Sequence, residues 1–380
     1  MKKKSSGRFR FSAAAVLLSA LIFLVPAVLG KLDEPVVHTL YLLAVLIPCV
    51  MLLCETVLAR MFALDRMIMA LVLWLCAAGI AALAMSDAEA ALAQSLRCGA
   101  AVVALLIGGI MIRSLTPSLL TSACTAFLGL LILAGKRISP SLDLHLNEAA
   151  MALLLVAFSS LFAREGPVSA LLLGAASLAL LLLTDDYANA LFWGLTVLLL
   201  IYAADGRLVI VFPAFAVVLL AFFCAYLLSP PGAFRAASPL SVLVSSGWVG
   251  TDTLPEAFMA LDQDSLFLSL TGHFGLVFSG LTALLFLPFA LRGSTVAAFA
   301  RTRFHAVLAM GSVLLLALHA LTSLLSVFGF IPLSGLRLPF LTCSLPDLCA
   351  EGFLAGILCG VSGRNDADLA EDAHLAMLAK

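Results

Sequence analysis

Charge is what this sequence has least of. Asp, Glu, Lys and Arg together make up 11% of the 380 residues, while 63% are hydrophobic. A water-soluble domain carries about a quarter charged residues, so this composition belongs in a bilayer. No polar stretch is long enough for a separate soluble domain. The formal net charge is −1 and no basic stripe is present, which argues against nucleic acid as a partner. The nine cysteines include no CxxC pair. Most lie inside apolar runs, where a thiol packs as a small hydrophobe rather than serving a metal or a disulfide; only Cys343 and Cys349 lie near a polar edge. No histidine cluster has ligand spacing either, since His273, His305 and His319 fall on separate helices or helix ends, and no metal site is expected. The opening "MKKKSSGRFRFSAAAVLLSALIFLVPAVLG" has the basic start of a signal peptide but lacks a clear small-x-small cleavage site. It is read as a retained first membrane helix.

What is present is a series of apolar runs near the roughly 20 residues that cross a bilayer as helix. Their polar breaks predict an all-α polytopic membrane protein of twelve transmembrane helices, near 11–30, 37–58, 67–86, 97–113, 116–134, 146–163, 166–184, 187–204, 208–228, 265–291, 304–330 and 347–363. With the N-terminus inside, Arg60, Arg66, Arg113, Arg164, Arg292, Arg301, Arg303 and Arg364 all fall on the cytoplasmic side. The acidic pieces "KLDEP", "SDAEA", "TDDY" and "GTDTLPEAFMALDQD" fall outside, together with the basic exceptions Lys31, Lys136, Arg137, Arg235 and Arg337. Both termini are then cytoplasmic, and the tail 364–380 is expected to be a short frayed segment. The loop 229–264 is far longer than an ordinary connection and is expected to be extracytoplasmic and functional.

Several stretches resemble, in order, the motifs of the SEDS family (shape, elongation, division and sporulation), typified by FtsW, RodA and SpoVE. "PLSGLRLPFLTCSLPD" resembles the family's P-V-T-G-I-P-L-P-F-I-S-Y-G-G-S-S at Pro332, Ser334, Gly335, Leu338, Pro339 and Phe340. The Tyr-Gly-Gly-Ser-Ser part is replaced by Cys343 to Asp347, and Arg337 stands where members usually show proline. "DSLFLSLTGHFG" keeps the family spacing at Asp264, Phe267 and Gly275, but Gly272 and His273 replace a glutamate pair. "SVLVSSGWVGTD" is similar at Ser241, Ser246, Gly247 and Gly250. "LAGKRISPSLDLHLNEAAMALLL" places Arg137 in a basic pair and Glu148 at the family acid, with Met151 at the family lysine; "LTDDYANALFWG" places Asp186 at a second acid. The resemblance covers residues 135–363 as a SEDS-like core, with residues 1–134 as an extended N-terminal set of helices.

The resemblance implies a peptidoglycan glycosyltransferase that polymerises lipid II at the outer face of the bacterial cytoplasmic membrane, in division, elongation or sporulation. Its expected partners are lipid II, membrane lipids and a single-pass class B penicillin-binding protein acting as transpeptidase. Such a reaction needs a base for the acceptor hydroxyl, a positive element for the leaving pyrophosphate and an apolar groove for the polyprenyl tail. Asp264 matches the catalytic aspartate, and it also stands where a helix N-cap would. Arg337 suits phosphate oxygens or lipid headgroups equally. Ser334, Gly335 and Pro339 of its loop, with Glu148, Asp186 and Arg137, complete the candidate substrate-binding residues. A divalent cation is left open as a cofactor. Two alternatives stand beside this reading. The lost lysine, glutamate pair and Tyr-Gly-Gly-Ser-Ser fit an inactive scaffold or regulator of a transpeptidase. Twelve helices also fit a lipid flippase or transporter, although no repeat relates the two halves.

Overall fold

The computed structural model describes residues 3–29, 34–138, 146–206, 246–250, 266–328 and 337–378, with short pieces at 212–213, 215–216 and 330. Among the described residues the regular structure is helical throughout. In chain order the helices are α1 (Lys3–Leu29), α2 (Glu34–Leu53), α3 (Arg66–Ala84), α4 (Ala88–Ser114), α5 (Leu119–Ile138), α6 (Asn147–Arg164), α7 (Pro167–Leu183), α8 (Tyr187–Asp205), α9 (Leu266–Leu284), α10 (Phe286–Ala298), α11 (Arg303–Val327) and α12 (Leu345–Leu378). A π turn, Cys54–Leu58, prolongs α2 towards Met61 and places Glu55 in the interior. Among the described residues eight stretches are long and apolar enough to cross a membrane, and Ala14–Val28, Leu119–Gly135 and Pro167–Leu183 are shorter apolar helices.

This architecture follows from the solvent. A bilayer cannot satisfy exposed backbone groups, so the apolar runs bond their amides internally as helices. Side chains close the ends: Asp65 accepts from the Met67 and Ile68 amides, Asp87 from Glu89 and Ala90, and Thr302 from His305. Pro167 opens α7, and Gly206 ends α8 at φ 68°, a conformation suited to glycine.

The twelve expected spans meet these helices closely, except that the span near 208–228 falls almost wholly outside the described residues. The span expected at 265–291 is made of α9, itself broken at Gly275, followed after Leu285 by α10, and it reaches Ala298. The segment expected to fray after residue 363 continues α12 to Leu378. Its Ala, Leu and Met residues favour helix, and it contains no Gly or Pro to stop it.

Helix α3 is the centre of the bundle. Nearly all of its residues are buried, including Ile68, Leu75, Ala78 and Ala81, and it touches α1, α2, α4, α9, α10 and α12. A helix apolar all round is one enclosed by others. The most extensive pairing joins α12 to α4. Cys54, Cys76, Cys98 and Cys359 are buried as free thiols in this packing, the role expected of them as small hydrophobes.

Polar side chains gather at the two ends of the bundle. One end brings together the starts of α4, α6, α8, α9 and α12 with the ends of α3 and α11, as in the Ser269 hydroxyl donating to the Ala82 carbonyl at 3.3 Å. The other joins Asp65, Arg292 and Ser362. It also joins Arg303 to Asp205 and to the ring of Phe162. By the distribution of Lys and Arg, the first end is the one expected outside.

Candidate functional site

At that first end three helices deliver polar side chains into a nearly closed space. Glu148 stands in the first turn of α6, His319 two turns before the end of α11, and Glu351 in the second turn of α12. Their ligand-type atoms all lie within 4.8 Å of one another. His319 Nδ1 is 3.4 Å from Glu148 Oε1, and carboxyl oxygens of Glu148 and Glu351 lie within 4.8 Å of each other. His319 and Glu351 are 4% and 1% exposed, so water does little to screen this group.

The segment before α12 closes the site from above. Phe340 sits at φ 64°, a left-handed conformation in which its amide points inward and donates to Glu351 Oε2 at 2.6 Å. A non-glycine residue holds that conformation only where its surroundings impose it. Here they do so from three helices. Gln94 Nε2 of α4 donates to the Thr342 carbonyl at 2.8 Å, Ser323 Oγ of α11 donates to the Arg337 carbonyl at 2.8 Å, and Glu351 of α12 takes the Phe340 amide. Arg337 Nη1 lies 3.4 Å from Asp347 Oδ2, and both side chains are largely buried. The charges of Asp347 and Arg337 both act on Glu148. The ring of Phe192, on α8, stacks on His319 at 4.6 Å and 3°.

The structure thus brings Glu148, Arg337 and Pro339 into one neighbourhood, Pro339 as a buried apolar part of the Phe340 turn. Asp186 is tied to the same region differently. It caps α8 through the Asn189 amide at 3.3 Å and also accepts from Asn147, the residue before Glu148. Arg137 lies in the last turn of α5, where only the backbone is described. Asp264, Ser334 and Gly335 lie outside the described residues.

His319, Glu351 and Asp347 were not marked as site residues from sequence. His319 does occupy a helix of its own, as expected, but it converges with carboxylates from two other helices, which local spacing cannot reveal. Glu351 carried a usable signal: an acid within the apolar run "LCAEGFLAGIL" is expensive in a membrane and functional by default.

A second feature joins two of the sequence echoes. Helix α9 breaks at Gly275, φ 81°, and the turn 246–250 packs into the break. Leu276 N donates to the Gly247 carbonyl at 3.1 Å and Val277 N to the Trp248 carbonyl at 3.3 Å. A Cβ at Gly275 would meet Gly250 N and Trp248 O at 2.5 Å. Gly275→Ala should therefore displace the turn and speed protease cleavage of the 229–264 loop several-fold. Unchanged cleavage would show that the turn tolerates the methyl.

These features define a polytopic α-helical membrane protein with a polar site set into one end of its bundle. Residues 247–366 match the FtsW, RodA and SpoVE family of cell cycle proteins. Over 112 residues the chain is 36% identical to a probable peptidoglycan glycosyltransferase FtsW of Geobacter sulfurreducens and 38% identical to one of Geobacter metallireducens. Each alignment takes in 29% of this chain and no more than 29% of the relative, so the chain spans under a third of the length of these curated relatives. Among solved structures, a chain of a peptidoglycan synthase complex in which polymerization and crosslinking are coordinated superposes with a TM-score of 0.60 at 18% identity. The rod shape determining protein RodA of Thermus thermophilus does so with 0.57 at 19% identity. Both cover 80% of this chain and 98% of the other. At these identities the likeness is one of fold. The C-terminal region 247–366 therefore resembles the SEDS family, and the bundle shares its fold with these two solved structures.

Proposed function

We propose that this protein is a peptidoglycan glycosyltransferase that polymerises lipid II at the outer face of the cytoplasmic membrane. The observation that carries the reading is the convergence of Glu148, His319, Glu351, Asp347 and Arg337 at one bundle end. Four of these five lie within the segment that matches the family, since His319, Arg337, Asp347 and Glu351 fall in 247–366. In this reading Asp264 takes the proton from the acceptor sugar hydroxyl as the new glycosidic bond forms. Arg337 offers its guanidinium to the pyrophosphate leaving the donor sugar. An apolar groove of ≈ 250 Å³ between α9 and the end of α11, lined by Phe267, Leu276, Gly280, Ala283, Leu324 and Phe328, fits a segment of isoprenoid tail. A class B penicillin-binding protein supplies crosslinking.

One observation favours the second reading, a scaffold without activity. Met151, at the family lysine, is fully buried one turn along α6 from Glu148, so an apolar side chain replaces a cation there. The two readings part in one assay. Purified protein, alone and with its transpeptidase, is given fluorescent lipid II. The proposal expects glycan strands from wild type and loss of at least about 100-fold with Asp264→Ala at equal expression, as for removal of a general base. An inert wild type under both conditions would establish the scaffold.

A further inference from the structure

We propose that Glu148, His319 and Glu351 bind one divalent transition-metal ion, Zn²⁺ or Mn²⁺. Metal–ligand bonds of about 2.0–2.2 Å put ligand atoms up to roughly 4.4 Å apart around one ion. The three donor groups here lie within 4.8 Å of one another, so small side-chain rotations complete the site. The donors come from α6, α11 and α12, and two are held by contacts outside the trio. Phe192 fixes the plane of the His319 ring, and the Phe340 amide fixes one oxygen of Glu351. This is the outer support that metal ligands need for orientation.

Charge points the same way. Glu148, Glu351 and Asp347 are three carboxylates in a space where Arg337 is the neighbouring cation acting on Glu148. Negative charge gathered inside a bundle is costly unless countered. A divalent ion would offset that charge. The donor set selects the ion class: one imidazole with two carboxylates suits Zn²⁺ or Mn²⁺, whereas Mg²⁺ keeps its waters and favours oxygen alone. Three protein ligands leave at least one position open. The use of that position for a pyrophosphate oxygen rests on the glycosyltransferase reading; binding of the ion does not.

The experiment uses the full-length protein in detergent, stripped with EDTA and then titrated with Zn²⁺, Mn²⁺ or Co²⁺. Elemental analysis of the washed protein should find about one ion per chain, and Co²⁺ should give visible absorption bands of a nitrogen–oxygen site. His319→Ala and Glu351→Gln should weaken binding at least about 10-fold, the scale on which even outer-shell changes act. Exposed Glu89→Gln should bind as wild type does. The wild-type measurement decides even if a variant fails to fold: no stoichiometric ion at saturating Zn²⁺ and Mn²⁺ overturns the site. Unchanged binding in a folded His319→Ala overturns it too. Ion binding without lipid II polymerisation would sustain the site and sink the enzyme reading. Polymerisation by a protein that binds no ion would do the reverse.

Discussion

Gly356→Val should leave little correctly folded protein. Gly352, Gly356 and Gly360 lie four residues apart on one stripe of α12, facing α4. A Cβ added to them would stand 2.3 Å from the Ala101 carbonyl oxygen, 2.2 Å from that of Leu105 and 2.5 Å from that of Gly109. Backbone, which cannot rotate aside, is an obstacle at each position, and at Gly360 Ile112 Cγ2 stands closer still, at 2.1 Å. Lipid tails are as apolar as leucine, so helices associate in a bilayer through close van der Waals fit, and glycine stripes allow that approach. Weak Cα–H···O contacts add to it at such distances. Overpacking a filled core costs about 1–3 kcal/mol where side chains can shift. Against a carbonyl, with three added carbons, the upper end or beyond is expected. The readout is the monodisperse fraction by size exclusion and the melting midpoint in detergent. Gly99→Ala is the control, because Gly99 sits on α4 with nothing within 4 Å of its added carbon. Equal behaviour of the two variants would refute the seam. The seam also serves the site: Glu351 directly precedes Gly352, and α4 carries Gln94, which holds the Thr342 carbonyl. Loosening it would move two walls of the cluster together.

The helices were legible because each is one apolar run, and a bilayer leaves such a run little choice but helix. The break in α9 was not, since it depends on the 246–250 turn packing against Gly275 from a distant part of the chain. Glu148 and Arg337 were legible as polar residues at the ends of spans, and the family resemblance sharpened the reading of Glu148. His319 and Glu351 were not, because their meaning lies in convergence from separate helices. The glycines of "EGFLAGILCG" could have been read as a small-xxx-small stripe, but sequence alone does not say which helix receives it. Asp65 was the least legible of all. Between Arg60 and Arg66 it reads as a loop acid, yet its partners Arg292 and Ser362 stand 227 and 297 residues away.

Asp65→Ala should destabilise the opposite end of the bundle by about 3 kcal/mol, the lower end of the range for breaking a buried ion pair. The lower end applies because the Arg292 side chain is 34% exposed while that of Asp65 is 5% exposed. The carboxylate does three things at once. It caps α3 through the Met67 and Ile68 amides, receives Arg292 Nε at 2.9 Å, and accepts from Ser362 Oγ at 3.0 Å. Burial alone would raise its pKa. The hydrogen bonds and charge of Arg292, the Ile68 amide and the Ser362 hydroxyl outweigh burial and hold it below the ordinary carboxylate value. A carboxylate whose folded pKa is depressed contributes stability above its unfolded pKa, near 4, and loses it as pH falls through the folded value. Wild type should therefore lose melting temperature below about pH 4, and Asp65→Asn should start lower and fall less steeply. Other acids titrate in the same range, so the difference between the two curves is the measure. Parallel curves from about pH 7 to about pH 3 would show that Asp65 carries no such linkage. Ser362 is eleven residues from Glu351 along α12, about 16 Å of helix. At that distance Asp65→Ala should lower the melting point while leaving ion binding at Glu148, His319 and Glu351 unchanged, separating the anchor at one end of the bundle from the site at the other.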